Sequence, residues 1–271
     1  MNLPYIKALR ILTILLALCL ALVSLAGAFL PDTYARDSAS MAAQGVGQDL
    51  VNLFLGVPLL LVTFIYTARG GRIARFLYAG ILFYIMYSFI IYCFGVHFNR
   101  FFLLYCLTLA LSLYAFILVM SGFRKEDVAG WFDHASVKGV SIYIFFVALV
   151  FYGLWLKSIV PTLITNTVPA EVSENDFLVN PIHVIDLAFA LPGLILGSVL
   201  LWQRKGMGYV IASISLIFMV FLTVALAAMV VMLVLRDISE DLSVGLVFGA
   251  LFISSLVFTL VLFRKLKTVQ S

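Results

Sequence analysis

Long apolar runs separated by short polar breaks dominate the chain. Stretches free of Asp, Glu, Lys and Arg cover residues 11–30, 50–68, 76–99, 101–123, 139–156, 206–235 and 242–263. A helix needs about 20 mostly apolar residues to cross the hydrocarbon of a bilayer, and each run comes near or exceeds that length. A further run, 187–203, is shorter and reaches spanning length only if Asp186 and His183 enter the membrane interface with it. The pattern predicts an all-α membrane protein of eight transmembrane helices.

Two of these segments begin alike. Residues 51–58 read V-N-L-F-L-G-V-P and residues 185–192, displaced by 134 positions, read I-D-L-A-F-A-L-P, with two of the eight aligned positions identical. Other landmarks recur at similar offsets: Leu30-Pro31 and Val160-Pro161 end the first and fifth expected helices, and basic turns fall at Arg69 and Arg204. A tandem 4+4 repeat is therefore expected, with a first membrane unit over residues 1–123, a linker over 124–138 and a second unit over 139–271. An even number of spans gives both copies one orientation, related by an axis along the membrane normal.

Composition agrees with lipid as the solvent, since 64% of residues are hydrophobic and 11% charged. Charge sets the direction. Lys and Arg stay preferentially on the cytoplasmic side of short loops. With both termini inside, 13 of the 17 basic residues are cytoplasmic, while Arg36, Arg100, Lys157 and Arg236 remain outside. Ten of the 13 acidic residues then face outward, so the net charge of +4 conceals a basic inner and an acidic outer face and implies no nucleic-acid partner. One rival concerns the first run, where Lys7, Arg10 and Ala26-Gly27-Ala28 also suit a cleavable signal peptide. A prokaryotic cytoplasmic membrane is the expected location.

The linker places Val128, Trp131 and Phe132 at i, i+3 and i+4, which suits a short amphipathic turn in the headgroup region, with Asp133-His134 as solvated linker. The outer loops 31–49 and 161–180 read as irregular; the second is acidic and either caps the outer face or simply connects helices. Cys19, Cys93 and Cys106 have no metal-ligand spacing and read as small core residues, with a Cys93–Cys106 disulfide as the alternative.

Proline inside a helix removes one hydrogen bond and crowds the carbonyl four residues earlier. Pro58 would thus loosen the Phe54 carbonyl and Pro192 that of Ala188. Freed groups survive in lipid only where protein or a water-filled cavity satisfies them, so matched kinks predict a central cavity or a broad protein contact.

Ionisable groups within the membrane are costly and normally face the bundle interior with a partner, which makes Asp186 the strongest candidate. Asn52 is its neutral counterpart under the repeat, while Asp49 aligns with His183. His97, Asn99 and Arg100 lie in a tight outer turn, where Arg100 suits a pairing with Asp186 or Asp49, or with an anionic headgroup, or simply snorkels to water. Tyr84 and Tyr87, near mid-membrane, need hydrogen-bond partners and read as packing rather than as a ligand cage.

No HExxH, GxSxG, GxxxxGK[ST] or GxGxxG pattern occurs, and no cofactor or metal is expected. At Arg69-Gly70-Gly71-Arg72, Tyr84, Tyr87, Tyr92-Cys93-Phe94-Gly95, Phe98-Asn99 and Phe101-Phe102-Leu103-Leu104-Tyr105, the chain resembles a group of multi-pass prokaryotic membrane proteins with no established activity. That resemblance implies a shared membrane fold and transfers no catalytic residue. The functional expectation is an outward-facing polar site of Asn52, His97, Asn99, Arg100, His183 and Asp186 that binds a small or lipidic ligand, with transport as its purpose. The alternatives are a lipid-modifying enzyme using His97 or His183 beside Asp186, and a non-catalytic sensor or assembly partner. Membrane lipids are the expected partners, and oligomeric state is left open.

Overall fold

In the computed structural model, which describes residues 5–133, 136–239 and 243–267, the described residues form helices and one isolated bridge. Eight helices are long and apolar enough to span a membrane: α1 Ile6–Phe29, α2 Ala39–Ala68, α3 Arg72–Gly95, α4 Phe102–Phe123, α5 Lys138–Thr165, α6 Pro181–Trp202, α7 Gly206–Leu235 and α8 Ser243–Phe263. The chain is an integral multi-pass membrane protein. Its turns define a basic end, with Arg69, Arg72, Arg124, Arg204 and Lys205, and an acidic end carrying the longer loops.

Two boundaries differ from the sequence reading and a third agrees with it. α2 begins at Ala39, where Ser38 Oγ accepts from Met41 N at 3.1 Å, so most of the expected outer loop is helix. A charge-free run stops at Asp49, but that carboxyl is buried and hydrogen-bonded and therefore does not end the helix. α5 continues through Lys157 and Pro161 to Thr165, so Val160-Pro161 does not close it as Leu30-Pro31 closes α1. α6 starts at Pro181, capped by Asn180 Oδ1, and includes His183 and Asp186 in a helix of spanning length, as expected.

α3 and α7 form the centre. α7 packs on α2, α3, α6 and α8, while α3 packs on α2, α4, α7 and the start of α6. Close approach needs small residues in lipid, where helices gain little from burying apolar surface against each other. A Cβ on Gly47 of α2 would meet the Ala228 backbone of α7 at 2.8 Å, and one on Gly80 of α3 would meet Ile217 at 2.5 Å. α1 packs against α2 and α4, and α5 against α6. All three cysteines are free thiols, so the Cys93–Cys106 disulfide is not formed.

The linker also differs from expectation. Ala129–Trp131 is a single 3-10 turn, and Val128, Trp131 and Phe132 are buried in the bundle rather than lying among headgroups. An i, i+3, i+4 apolar pattern fits protein as well as lipid. Here Phe76 and Phe123 receive Trp131, and Tyr209 stacks on Phe132 at 4.3 Å. Beneath them Arg75, 2% exposed, pairs with Glu126 at 2.7 Å and lies 4.0 Å over the Phe123 ring. Asp133 N donates to Lys265 O and Lys267 N to Trp131 O, both at 2.8 Å, which ties the linker to the segment after α8. His134 lies outside the described residues.

Candidate functional site

α2 and α6 absorb the missing N–H of Pro58 and Pro192 in the same way. Residues Asn52–Gly56 and Asp186–Ala190 form π turns immediately before Pro58 and Pro192, with Val57 N bonded to Asn52 O and Leu191 N to Asp186 O. The wide turn sets aside one residue from the α-helical register. Such bulges recur at functional sites. Each opens on a buried polar residue, so Asn52 and Asp186 occupy equivalent local positions.

α3 lies between these two turns, and its tyrosines serve both. Tyr84 OH donates to Asn52 Oδ1 at 3.0 Å and accepts from Gln48 Nε2 at 2.6 Å, while Tyr87 OH donates to Asp186 Oδ1 at 2.9 Å. The second carboxyl oxygen of Asp186 accepts from Trp155 Nε1 of α5 at 2.8 Å. Higher on α3, Tyr92 OH donates to Asp49 at 3.0 Å, and Tyr34 OH donates to the other oxygen of the same carboxyl. Tyr34 belongs to the short turn Pro31–Tyr34 before α2, and burial pushes its hydroxyl well above its ordinary pKa. Gly27 makes this possible, because a Cβ there would overlap Asp49 Oδ2.

A cavity of about 180 Å³ opens between the halves, bounded by α2, α3, α5, α6, α7 and α8. Asp186, Gln48, Gln44 and Ser88 supply its polar groups. Phe151, Trp155 and Phe248 supply aromatic walls. For scale, a dry cavity of about 150 Å³ admits a benzene ring. Among the described residues no Lys, Arg or His forms an ion pair with Asp186; both its hydrogen bonds come from neutral donors.

The expected site residues thus separate. Asp186 lines the cavity, Asn52 stands one layer behind Gln48, whose Nε2 reaches Asn52 Oδ1 at 3.2 Å, and His183 packs on Trp155 with ring centroids 4.7 Å apart. His97, Asn99 and Arg100 belong to the acidic end. His97 takes Asp37 as partner, with both N and Nδ1 at 2.9 Å from Asp37 Oδ1. Asn99 Nδ2 donates to Thr33 O at 3.2 Å and Tyr105 OH at 3.1 Å. Arg100 is exposed, lies 5.2 Å over the Phe101 ring, and pairs with neither Asp186 nor Asp49. Asp49 is enclosed by its two phenols, and the turn tip holds Arg100 away from both carboxyls. Neither His97 nor His183 hydrogen-bonds Asp186, so the acid–base pair that the enzyme reading requires is absent among the described residues.

The loop between α5 and α6 does more than connect. Its helix Ala170–Ser173 leads to Asn175, whose Oδ1 accepts from Ser38 Oγ at 2.7 Å, so the second half reaches onto the start of α2. The Ser158 hydroxyl holds the Glu171 carboxyl below its usual range, with His183 Nε2 at 3.9 Å.

Sequence reasoning missed Gln44, Gln48 and Trp155. A signal existed for the first two: Gln44, Gln48 and Asn52 recur every four residues and mark one polar helix face. Trp155 carried a weaker one, an indole N–H needing an acceptor in an apolar run. No protein-family model matches the chain, and neither the curated proteins nor the solved structures contain a match.

Proposed function

We propose that this protein binds a small amphipathic ligand in the cavity between its halves, through a cationic or strongly hydrogen-bond-donating group that meets Asp186. One observation carries the reading: a membrane-embedded carboxyl, without a cationic partner among the described residues, forms part of an otherwise aromatic and apolar wall. An intramembrane acid is expensive to keep and marks a ligand or ion path. Aromatic faces beside it favour an organic cation over a bare ion.

The same proposal includes transport across a prokaryotic cytoplasmic membrane, with both termini inside. Support for the direction comes from the 13 to 4 division of Lys and Arg. Two four-helix units flanking the cavity are supported by recurring packing: α1 and α5 pack on α2 and α6, α2 and α6 on α3 and α7, and α3 and α7 on α4 and α8. The contact of α2 with α7 is answered by that of α6 with α3. An axis between α3 and α7 would relate the units, with the paired π turns on either side.

Benzylamine tests the site because it joins one ring to one ammonium. It should raise the melting temperature of the protein in lipid nanodiscs and change its tryptophan fluorescence through Trp155, whereas benzoate should do neither. A charge-assisted hydrogen bond contributes about 1.5–3 kcal/mol, so Asp186→Asn should weaken benzylamine roughly ten- to a hundredfold. Equal binding by wild type and Asp186→Asn would refute the assignment.

A further inference from the structure

At the basic end, a groove of about 600 Å³ runs between α2, α3 and the end of α8. Its floor is apolar, with Leu59, Leu77 and Phe263 partly buried, while Val62 and Ile73 stand exposed on the flank that faces lipid. Arg72 and Lys267 lie at its mouth. We propose that this groove is a specific site for an anionic phospholipid, whose phosphate meets Arg72 and Lys267 while an acyl chain follows the apolar floor.

Three features support that occupant. Neither cation has an acidic partner among the described residues, although neighbouring Arg75 is neutralised by Glu126 at 2.7 Å. Both residues are positioned by the linker: the Arg72 guanidinium lies 5.0 Å over the Trp131 ring, and the Lys267 backbone is anchored by its N–H to Trp131 O at 2.8 Å beside the Phe132–Leu266 bridge. The same buried tryptophan therefore sets both residues at one mouth. Finally, Tyr66, which lines the groove beside them, carries Arg69 5.5 Å above its ring and adds a third positive charge. Basic pockets between helices at a membrane surface suit phosphate headgroups. A soluble anion would leave the apolar floor uncovered.

Native mass spectrometry of the full chain in detergent, with phosphatidylglycerol or phosphatidylcholine added at equal concentration, tests the proposal. Phosphatidylglycerol should be retained preferentially. Each basic contact at a membrane surface contributes on the order of 1 kcal/mol, so Lys267→Gln should weaken retention about fivefold and Arg72→Gln/Lys267→Gln about thirtyfold. Lys205→Gln, at the same end but outside the groove, should leave retention unchanged. Lys267 is exposed. Its variant should melt like wild type, so that loss of lipid is separable from loss of fold. Equal retention of the two lipids by wild type, undiminished phosphatidylglycerol retention in Lys267→Gln, or displacement by millimolar glycerol phosphate would each overturn the proposal.

Discussion

Asp49 shows how a single charged residue is held inside an apolar bundle. Its side chain is 0% exposed, both oxygens accept from phenols, and Gly27 leaves the space it occupies. Gly27→Ala should therefore destabilise the protein by about 1–3 kcal/mol, the usual cost of overpacking. Because the added methyl collides with Asp49 itself, the penalty should shrink in an Asp49→Ala background. Melting the two single variants and the double variant in one detergent measures this coupling, and strictly additive losses would contradict it. At this scale the sequence is readable only in part. It marks Asp49, Asn52 and Asp186 as unusual, but their partners Tyr34, Tyr84 and Tyr87 come from 15, 32 and 99 positions away and follow no local spacing.

Among the elements, α2 and α6 differ from ordinary kinked helices because the proline is absorbed by a π turn that begins at a buried polar residue. Pro192→Ala restores a backbone donor and removes the ring's crowding, so the segment should return to α-helical register and turn Asp186 away from Trp155 and Tyr87. Stability should change by less than about 1 kcal/mol, since the regained hydrogen bond offsets the altered packing. Benzylamine affinity should nevertheless fall about tenfold as the charge-assisted contact is lost. Thermal melting combined with fluorescence titration separates these effects; unchanged affinity would show that the π turn does not position the carboxyl. The prolines and the matched polar residues are legible in sequence. A kink and a π turn are different responses to the same missing N–H. Neighbouring helices select between them.

For the whole molecule, the division of charge predicts a direction that labelling can test. Leu178, 99% exposed in the loop between α5 and α6, and Lys205, in the turn before α7, lie at opposite ends. In a background lacking Cys19, Cys93 and Cys106, Leu178→Cys should react with a membrane-impermeant maleimide on intact cells, and Lys205→Cys only after permeabilisation. The reverse result would invert the topology. Sequence alone determined the number of spanning helices, the segregation of basic from acidic ends and the two unusual polar helices, because bilayer thickness and the cost of a charge in lipid act locally along the chain. Tertiary structure decided the rest. Through long-range packing, it separated His97, Asn99 and Arg100 from Asp186, carried α2 past Asp49, turned the linker's aromatic residues into the bundle and joined Gln48, Asp186 and Trp155 around one cavity. In a chain so uniformly apolar, hydrophobicity places each helix in the membrane but leaves its rotation undecided; small residues, buried hydrogen bonds and the two π turns fix which face meets which.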